Sequence, residues 1–188
     1  AVYNVMGFEI ENVQGGEYDS NLAECNTGGF LIYDLENITQ YGDTSVMLNN
    51  TARNNNTYNF AHSGLVSVVP RGVGFITLGY DNIEIVDNVF EDHSTAAVLY
   101  ISYELIDGPG GTADKKLDPY TEGLHIHNNV MRNSGYDLPP PDLEKTLNGE
   151  IENVLPTLIG LKNLPTINDP AEMLSSLRNL ANLGKGAH

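Results

Sequence analysis

Two histidines one residue apart offer metal chemistry on a short segment of alternating residues. His125 and His127 flank Ile126, and Leu124 precedes them. If Leu124 and Ile126 face the interior of a strand, both imidazoles face outward on the same side, because side chains alternate along a strand. Two imidazoles and a third ligand, which would be Glu84 or a loop acid, form a metal site. The alternative interpretation is a pair of solvent-facing polar residues.

A second candidate for chemistry is the dipeptide Asp92-His93. A carboxylate beside an imidazole suits acid–base catalysis, and the pair loosely resembles an Asp-His pair of pectate lyases. The lysines and arginines that a lyase adds to such a pair have no counterpart here, which favours a loop dipeptide without a catalytic role. If the chain were an enzyme, its candidate catalytic residues would be Asp92, His93, His125 and His127.

Four acidic residues surround a glycine-rich segment that interrupts the alternating pattern: Asp107, Asp114, Asp118 and Glu122. Oxygen ligands on a flexible loop suit Ca²⁺, so these acids are the predicted ligands of a calcium site. Their spacing matches neither an EF-hand nor the RTX nonapeptide. Charge pairing with Lys115 and Lys116 at the surface is an equally good explanation of the same residues.

Four tyrosines lie on segments with strand-like alternation: Tyr33, Tyr80, Tyr100 and Tyr103. Exposed tyrosines along one face would stack against sugar rings, which makes these four the candidate residues for binding a glycan. Tyrosines that pack inside the fold are the alternative, because the ring is largely apolar.

The elements that position these residues are repeated. Residues 83–90 recur as 124–131, more loosely as 46–52 and weakly as 8–13. In each copy apolar residues alternate and an asparagine follows: Asn12, Asn50, Asn88 and Asn129, at intervals of 38, 38 and 41 residues. A unit of this size cannot bury its own apolar face, so its repetition predicts a solenoid of stacked coils.

A second kind of strand, rich in glycine and aromatic residues, is predicted at 29–35, 74–80 and 97–103. Residues 65–69 are predicted to add a third, short strand, whereas the polar residues 15–27 predict a loop. Three short strands in each coil predict an all-β fold, a right-handed parallel β-helix.

The register of the coils follows from the alternation of side chains. Ile85 should face the interior with Met47 and Ile126 stacked on it, and Phe90 should return to that interior after the turn. The interior positions are therefore explained by stacking and need no function.

The repeated asparagines should lie above one another in the turns. Asn50, Asn88 and Asn129 tolerate the left-handed backbone of a tight turn, and each amide can bond to the amide of the next coil. A row of amides that binds a ligand is the alternative interpretation.

The outward-facing positions next to this column are unusually apolar. Leu48, Val86 and His127 are predicted to stack in one outer column, which is less polar than a solvated face. We expect either the end of the chain or another molecule to cover it.

Composition excludes several partners. The chain has 188 residues and a formal net charge of −16, which disfavours nucleic acid, because binding it requires cationic side chains. No apolar run approaches the roughly 20 residues of a transmembrane helix.

Cys25 is the single cysteine, so an internal disulfide framework is excluded. The first residues contain no initiator Met and no signal peptide, and we expect a mature chain that has lost N-terminal coils.

The chain is predicted to divide near residue 136. Residues 1–136 hold the coils, and residues 137–188 hold a Pro-rich linker at 138–142 and helices at 143–155 and 171–183. Leucines at a spacing of three give the second helix an apolar stripe. That stripe should pack on the coils or on a partner protein.

Several segments together resemble a family of bacterial right-handed parallel β-helix repeat proteins: residues 7–12, 26–35, 54–61, 68–74 and 122–129. The resemblance covers most of residues 7–136. It implies an exported protein, periplasmic, extracellular or lipid-anchored, with an exported partner protein, and it carries over no catalytic residues. The family is similar in fold to polysaccharide lyases, to epimerases and to a copper-site maturation protein.

Two functions remain open at this point. The first is an exported, non-catalytic binding or assembly module, for which the acidic surface and the apolar helical stripe argue. The second is a carbohydrate-active enzyme, a polysaccharide lyase, hydrolase or epimerase, that acts on a glycan along the coils. The sequence assigns no cofactor beyond the calcium considered above.

Overall fold

The computed structural model describes residues 1–108 and 110–137. Twelve strands, one short α-helix and one 3₁₀ turn lie in this part of the chain. In chain order they are β1 Met6–Glu11, β2 Gln14–Asp19, β3 Leu22–Glu24, β4 Gly28–Tyr33, β5 Asp43–Leu48, β6 Thr51–Arg53, the 3₁₀ turn Leu65–Val68, β7 Val73–Leu78, β8 Asp81–Val86, β9 Val89–His93, β10 Ala96–Ile101, α1 Tyr103–Asp107, β11 His125–His127 and β12 Val130–Ser134.

The strands form three four-stranded sheets, and every pairing is parallel. The first sheet has the order β1-β4-β7-β10, the second β2-β5-β8-β11 and the third β3-β6-β9-β12. Three consecutive strands therefore contribute one strand to each sheet, and we call such a set a coil. Coils 1 to 4 begin with β1, β4, β7 and β10. The predicted all-β architecture of stacked parallel strands, three to a coil, is confirmed.

Two predictions about individual segments are wrong. Residues 15–27 are not a loop, because β2, β3 and the turn between them occupy most of this range. Residues 65–69 are not the third strand of a coil but a 3₁₀ turn over Leu65–Val68. The third strand of each coil instead follows the asparagine turn, as Thr51–Arg53 does in coil 2.

The interior register agrees with the prediction. Met47 and Ile126 both lie opposite Ile85 on the neighbouring strands, and Phe90 is buried in the same interior. Stacking removes Met47, Ile85 and Phe90 from water, which is the main favourable contribution to folding.

The two central strands of the first sheet, β4 and β7, are buried on both faces. Every residue of β4 and β7 is buried, because the loops at 54–72 and 102–124 cover the outer face. Leu31, Ile76 and Leu78 form a second apolar cluster there with Tyr103 and Leu117 of the loop after β10. Burial on both faces explains why these strands are continuously apolar instead of alternating.

Gly29 shows why the second residue of each strand in this sheet is small, as Gly7, Gly29, Gly74 and Ala97 are. A Cβ atom at Gly29 would lie 2.2 Å from the carbonyl oxygen of Gly74 in the next coil and 3.1 Å from the Cβ of Ala52. The backbones approach too closely for any larger residue without movement of the main chain.

A column of asparagine side chains connects the coils at the turn between the second and third sheets. We call it the first ladder: Asn21, Asn50, Asn88 and Asn129. The side-chain oxygen of Asn88 accepts hydrogen bonds from Asn50 N at 2.8 Å and Asn50 Nδ2 at 3.0 Å, and Asn129 bonds to Asn88 in the same way. The predicted stacking of these amides is confirmed.

The weak fourth copy of the repeat, at 8–13, does not contribute its asparagine to this column. Asn12 follows β1 of the first sheet, where its oxygen accepts a bond from Leu35 N at 2.8 Å. The first ladder begins instead at Asn21, which bonds to Asn50 at 2.9 Å. The error arose because β1 alternates like the other copies although it pairs with β4.

The residue before each rung of the first ladder has a positive φ angle: Ser20 58°, Asn49 54°, Asp87 55° and Asn128 55°. This left-handed residue turns the chain from the second sheet to the third, and Asn and Asp are the non-glycine residues that adopt it most readily.

Among residues 1–108 and 110–137, no helix is both long and apolar enough to cross a membrane. The predicted linker at 138–142 and the helices at 143–155 and 171–183 lie outside the described residues.

We expect Asn88→Ala to lower the free energy of unfolding by about 3 kcal/mol or more, because it leaves the buried Asn50 N and Met47 O without partners. Chemical denaturation at neutral pH measures this loss. Asn129→Ala is the control, because its rung is only half-buried and water can replace the lost bonds. A loss for Asn88→Ala that is no larger than about 1 kcal/mol would contradict the ladder as a source of stability.

Candidate functional site

Three side chains that could bind a metal converge on the outer face of the second sheet. Glu84 comes from β8, and His125 and His127 come from β11. Their ligand atoms all lie within 4.8 Å of one another. His127 Nε2 lies 2.8 Å from Glu84 Oε1, and the two imidazole rings stack with centroids 4.2 Å apart. Among the described residues this is the one three-ligand group of its kind.

Strand register brings these residues together. His125 lies directly opposite Glu84, and His127 lies opposite Val86. Both histidines face outward because the intervening Ile126 lies over Ile85. The structure therefore places the predicted pair, and the predicted third residue Glu84, in one cluster. Leu48, Val86 and His127 also form the predicted outer column, and all three are half-buried.

Three inward-facing side chains of coil 4 are exposed. Tyr100 is 61% exposed, Met131 45% and Ile126 39%, whereas the residues beneath them in coil 3, Thr77, Phe90 and Ile85, are at most 1% exposed. Together these three exposed side chains form an apolar face on coil 4, the last of the described coils. Sequence reasoning could not find this face, because its residues repeat the alternating pattern of the buried residues in the other coils.

Asp92 and His93 do not form a catalytic pair. The His93 side chain is buried in the interior, whereas Asp92 is only half-buried and accepts a hydrogen bond from Asn133 Nδ2. Asp92 has a positive φ angle of 59°, so the chain turns at this residue, and its partly exposed carboxylate lies outside the interior in which the imidazole of His93 is buried. This geometry does not support the acid–base alternative, and the dipeptide does not lie in a loop, as favoured from the sequence, but at the end of β9.

His93 belongs to a second ladder, between the third and first sheets: Asn4, Asn26, Asn55 and His93. Asn26 N bonds to Asn55 Oδ1 at 3.0 Å, and Asn55 Nδ2 lies 3.2 Å from His93 Nε2. A signal for this ladder was present in the sequence. Asn26, Asn55 and His93 are spaced by 29 and 38 residues, the same intervals as Asn21, Asn50 and Asn88.

The burial of His93 changes its titration. Burial lowers the pKa of the imidazole to about 4, and the negative charge of Asp92 only partly offsets this effect. His93 Nδ1 has no hydrogen-bond partner among the described residues. A neutral imidazole that is buried and bonded through one nitrogen is a structural group, because it reaches no solvent-exposed site.

Three of the four candidate tyrosines cannot stack on a sugar, because they are buried. Tyr33 donates to Glu11 Oε2 at 3.1 Å, Tyr80 lies 2.6 Å from Ser45 Oγ, and the Tyr103 hydroxyl donates to the carbonyl of Asp34. Their rings fill the two apolar clusters. Only Tyr100 of this set is exposed, so the predicted row of glycan-binding tyrosines is wrong.

The four candidate calcium ligands, Asp107, Asp114, Asp118 and Glu122, do not form a three-ligand group within residues 1–108 and 110–137. Asp114 instead connects the loop after β10 to the loop after β4. Its carboxylate accepts hydrogen bonds from the Tyr41 hydroxyl, from Lys116 N and from Asn37 N, and these bonds hold its pKa below the ordinary value.

No protein-family model, curated protein or solved structure matches this chain. The resemblance to bacterial β-helix repeat proteins therefore stays a prediction from the motifs that carry it.

We expect His93 to make the protein acid-sensitive. Its pKa is about 4 in the folded protein and about 6.5 in an unfolded chain. The unfolded state binds the proton more tightly than the folded state. The contribution of neutral His93 to the free energy of unfolding is therefore fully present above pH 6.5 and is lost as the pH falls toward 4. Between pH 7 and pH 4.5 this loss is about 2.5 kcal/mol.

The measurement is the free energy of unfolding at both pH values for the wild type and for His93→Asn, which keeps an amide at the rung but does not titrate. The acid loss of the variant should be smaller by about 2.5 kcal/mol. His62→Gln, at an exposed histidine, is the matched control and should leave the acid loss unchanged. Identical losses in wild type and His93→Asn would rule out this role.

Proposed function

We propose that this chain is a right-handed parallel β-helix from an exported protein and that it serves as a non-catalytic binding or assembly module. Three parallel sheets, each visited once in every coil, support the β-helix. Export follows from the family resemblance of residues 7–136. The binding role is supported by the structure at coil 4.

The observation that carries the proposal is the exposed interior of coil 4. Tyr100, Ile126 and Met131 occupy positions that coil 3 buries almost completely. A face of this composition loses its contact with water when another surface packs on it, and large aromatic residues and methionine are enriched in such interfaces. In the part of the chain that the structure describes, β10, β11 and β12 each pair on one side only, so their outer edges offer backbone groups to which a partner strand could bond.

The arrangement of the candidate catalytic groups supports binding over catalysis. His93 is buried in a ladder, and Asp92 faces away from it. A carbohydrate-active enzyme needs its acid and base on the same exposed cleft, within reach of one bond. The net charge of −16 favours a partner whose contact surface is basic, because complementary charge accelerates association.

We expect Met131→Lys to weaken partner binding by more than about tenfold, because it places a charge in the centre of the apolar face. The partner is captured from an envelope extract of the producing cell, identified, and titrated against the purified chain. Val130→Lys is the matched control: it is on the same strand, is 46% exposed against 45% for Met131, and faces outward.

Equal effects of the two substitutions would contradict the assignment of this face. Catalysis is tested separately by incubating the purified chain with a panel of polysaccharides and measuring new reducing or unsaturated ends. Products that disappear with His125→Ala would overturn the non-catalytic role and favour the carbohydrate-active enzyme.

A further inference from the structure

We propose that Glu84, His125 and His127 bind one divalent transition-metal ion of the zinc class. The three ligand atoms already lie within 4.8 Å of one another. Zinc ligands at 2.0 to 2.2 Å from the metal lie about 3.4 Å apart in a tetrahedral site, so only small side-chain rotations are needed to close the group on an ion.

The backbone beneath the site is fixed. β8 and β11 pair in register over three residues, and β8 is also paired with β5 on its other side. Glu84 and His125 are direct neighbours in this register, and His127 lies one side-chain repeat further along the same face. The positions of the three Cα atoms are therefore set by the sheet, which favours a site that needs little ordering when the metal binds.

The side chains have the freedom to close on an ion. The side chain of Glu84 is 44% exposed and that of His127 31%, and His125 is exposed. The two rings are stacked with an interplanar angle of 25°, and rotation about their side-chain bonds would turn a nitrogen of each toward the carboxylate. The metal would then replace the 2.8 Å contact between His127 and Glu84.

The chemistry of the donors selects the ion. Two imidazoles and one carboxylate suit Zn²⁺, Cu²⁺ and Ni²⁺, whereas Ca²⁺ and Mg²⁺ prefer oxygen ligands alone. Exposure of the group leaves room for water to complete the coordination, as in zinc sites with three protein ligands. The net charge of −16 raises the local concentration of cations around the chain.

Only the junction of coils 3 and 4 provides this set. The outer position next to Glu84 in coil 2 is Val46, and Leu48 is next to Val86. Carbon side chains at these places cannot act as ligands. Among the described coils, the two histidines therefore lie next to the coil whose outer face offers them a carboxylate, that of Glu84.

The test is equilibrium dialysis of the full chain, produced without a histidine tag and freed of metal, against Zn²⁺. One tight equivalent is expected. His125→Ala and His127→Ala should each weaken binding by about 100-fold or more, since even residues that only support metal ligands contribute about 10- to 100-fold. Glu84→Gln should weaken it as well.

The matched controls are His62→Ala, at an exposed histidine outside the second sheet, and Glu17→Gln, on the outer face of β2. Both should bind Zn²⁺ like the wild type. An excess of Ca²⁺ should not displace the bound ion.

A second readout locates the ion. The imidazole nitrogen resonances of His125 and His127 should shift on addition of one equivalent of Zn²⁺, and the visible absorption of bound Co²⁺ should be lost in the double alanine variant. Thermal unfolding without metal confirms that the variants are folded. Unchanged Zn²⁺ affinity in the double variant, or shifts confined to other histidines, would overturn the site.

Discussion

Parallel stacking in register is the constraint on which this fold depends. Each residue lies beside the residue at the equivalent position of the next coil. A buried polar side chain is therefore bonded most simply by a side chain of the same type in that coil. Asparagine meets this requirement, because its amide carries both an acceptor and donors. Asn88 accepts from Asn50 and donates to Asn129 within one column. A coil that lacked its rung would leave buried groups unbonded in the coil before it, which is costly. The ladders therefore enforce the register that the apolar interior alone would not specify.

His93 shows what happens when the constraint is met by a different residue. The imidazole bonds to Asn55 through one nitrogen and remains neutral because burial lowers its pKa to about 4. Asp34 has the opposite effect, since burial raises the pKa of its carboxyl to about 6. Its ionisation costs stability as the pH rises from about 4 to 6, the same interval in which His93 contributes stability. The contributions of these two groups therefore have opposite signs over this interval, which is why the comparison of wild type with a non-titrating residue at position 93 isolates the effect of the imidazole.

Local sequence predicted the stacking but not the loops. Asn50, Asn88 and Asn129 were found because one turn geometry demands one residue type at a regular interval. Asn12 was misplaced, since the strands of both the first and second sheets alternate, and alternation does not identify a sheet. β2 was missed because its exposed residues, such as Gln14 and Glu17, are polar. The buried tyrosines were ambiguous for another reason: a hydroxyl that finds a partner distant in sequence, as Tyr103 does at Asp34, leaves no local signal.

The same constraint separates fold from function in this chain. Stacking fixes the inward positions and the rungs, so those residues cannot change without loss of stability. The outward positions of the second sheet are less restricted: one column holds Val46, Glu84 and His125 in successive coils. Variation of this kind is tolerated because outer side chains share a sheet surface without having to bond to their copies. Sites that depend on an unusual combination, such as an acid facing two imidazoles, therefore arise on the outer face, and the inner repeat holds them in place without contributing to their chemistry.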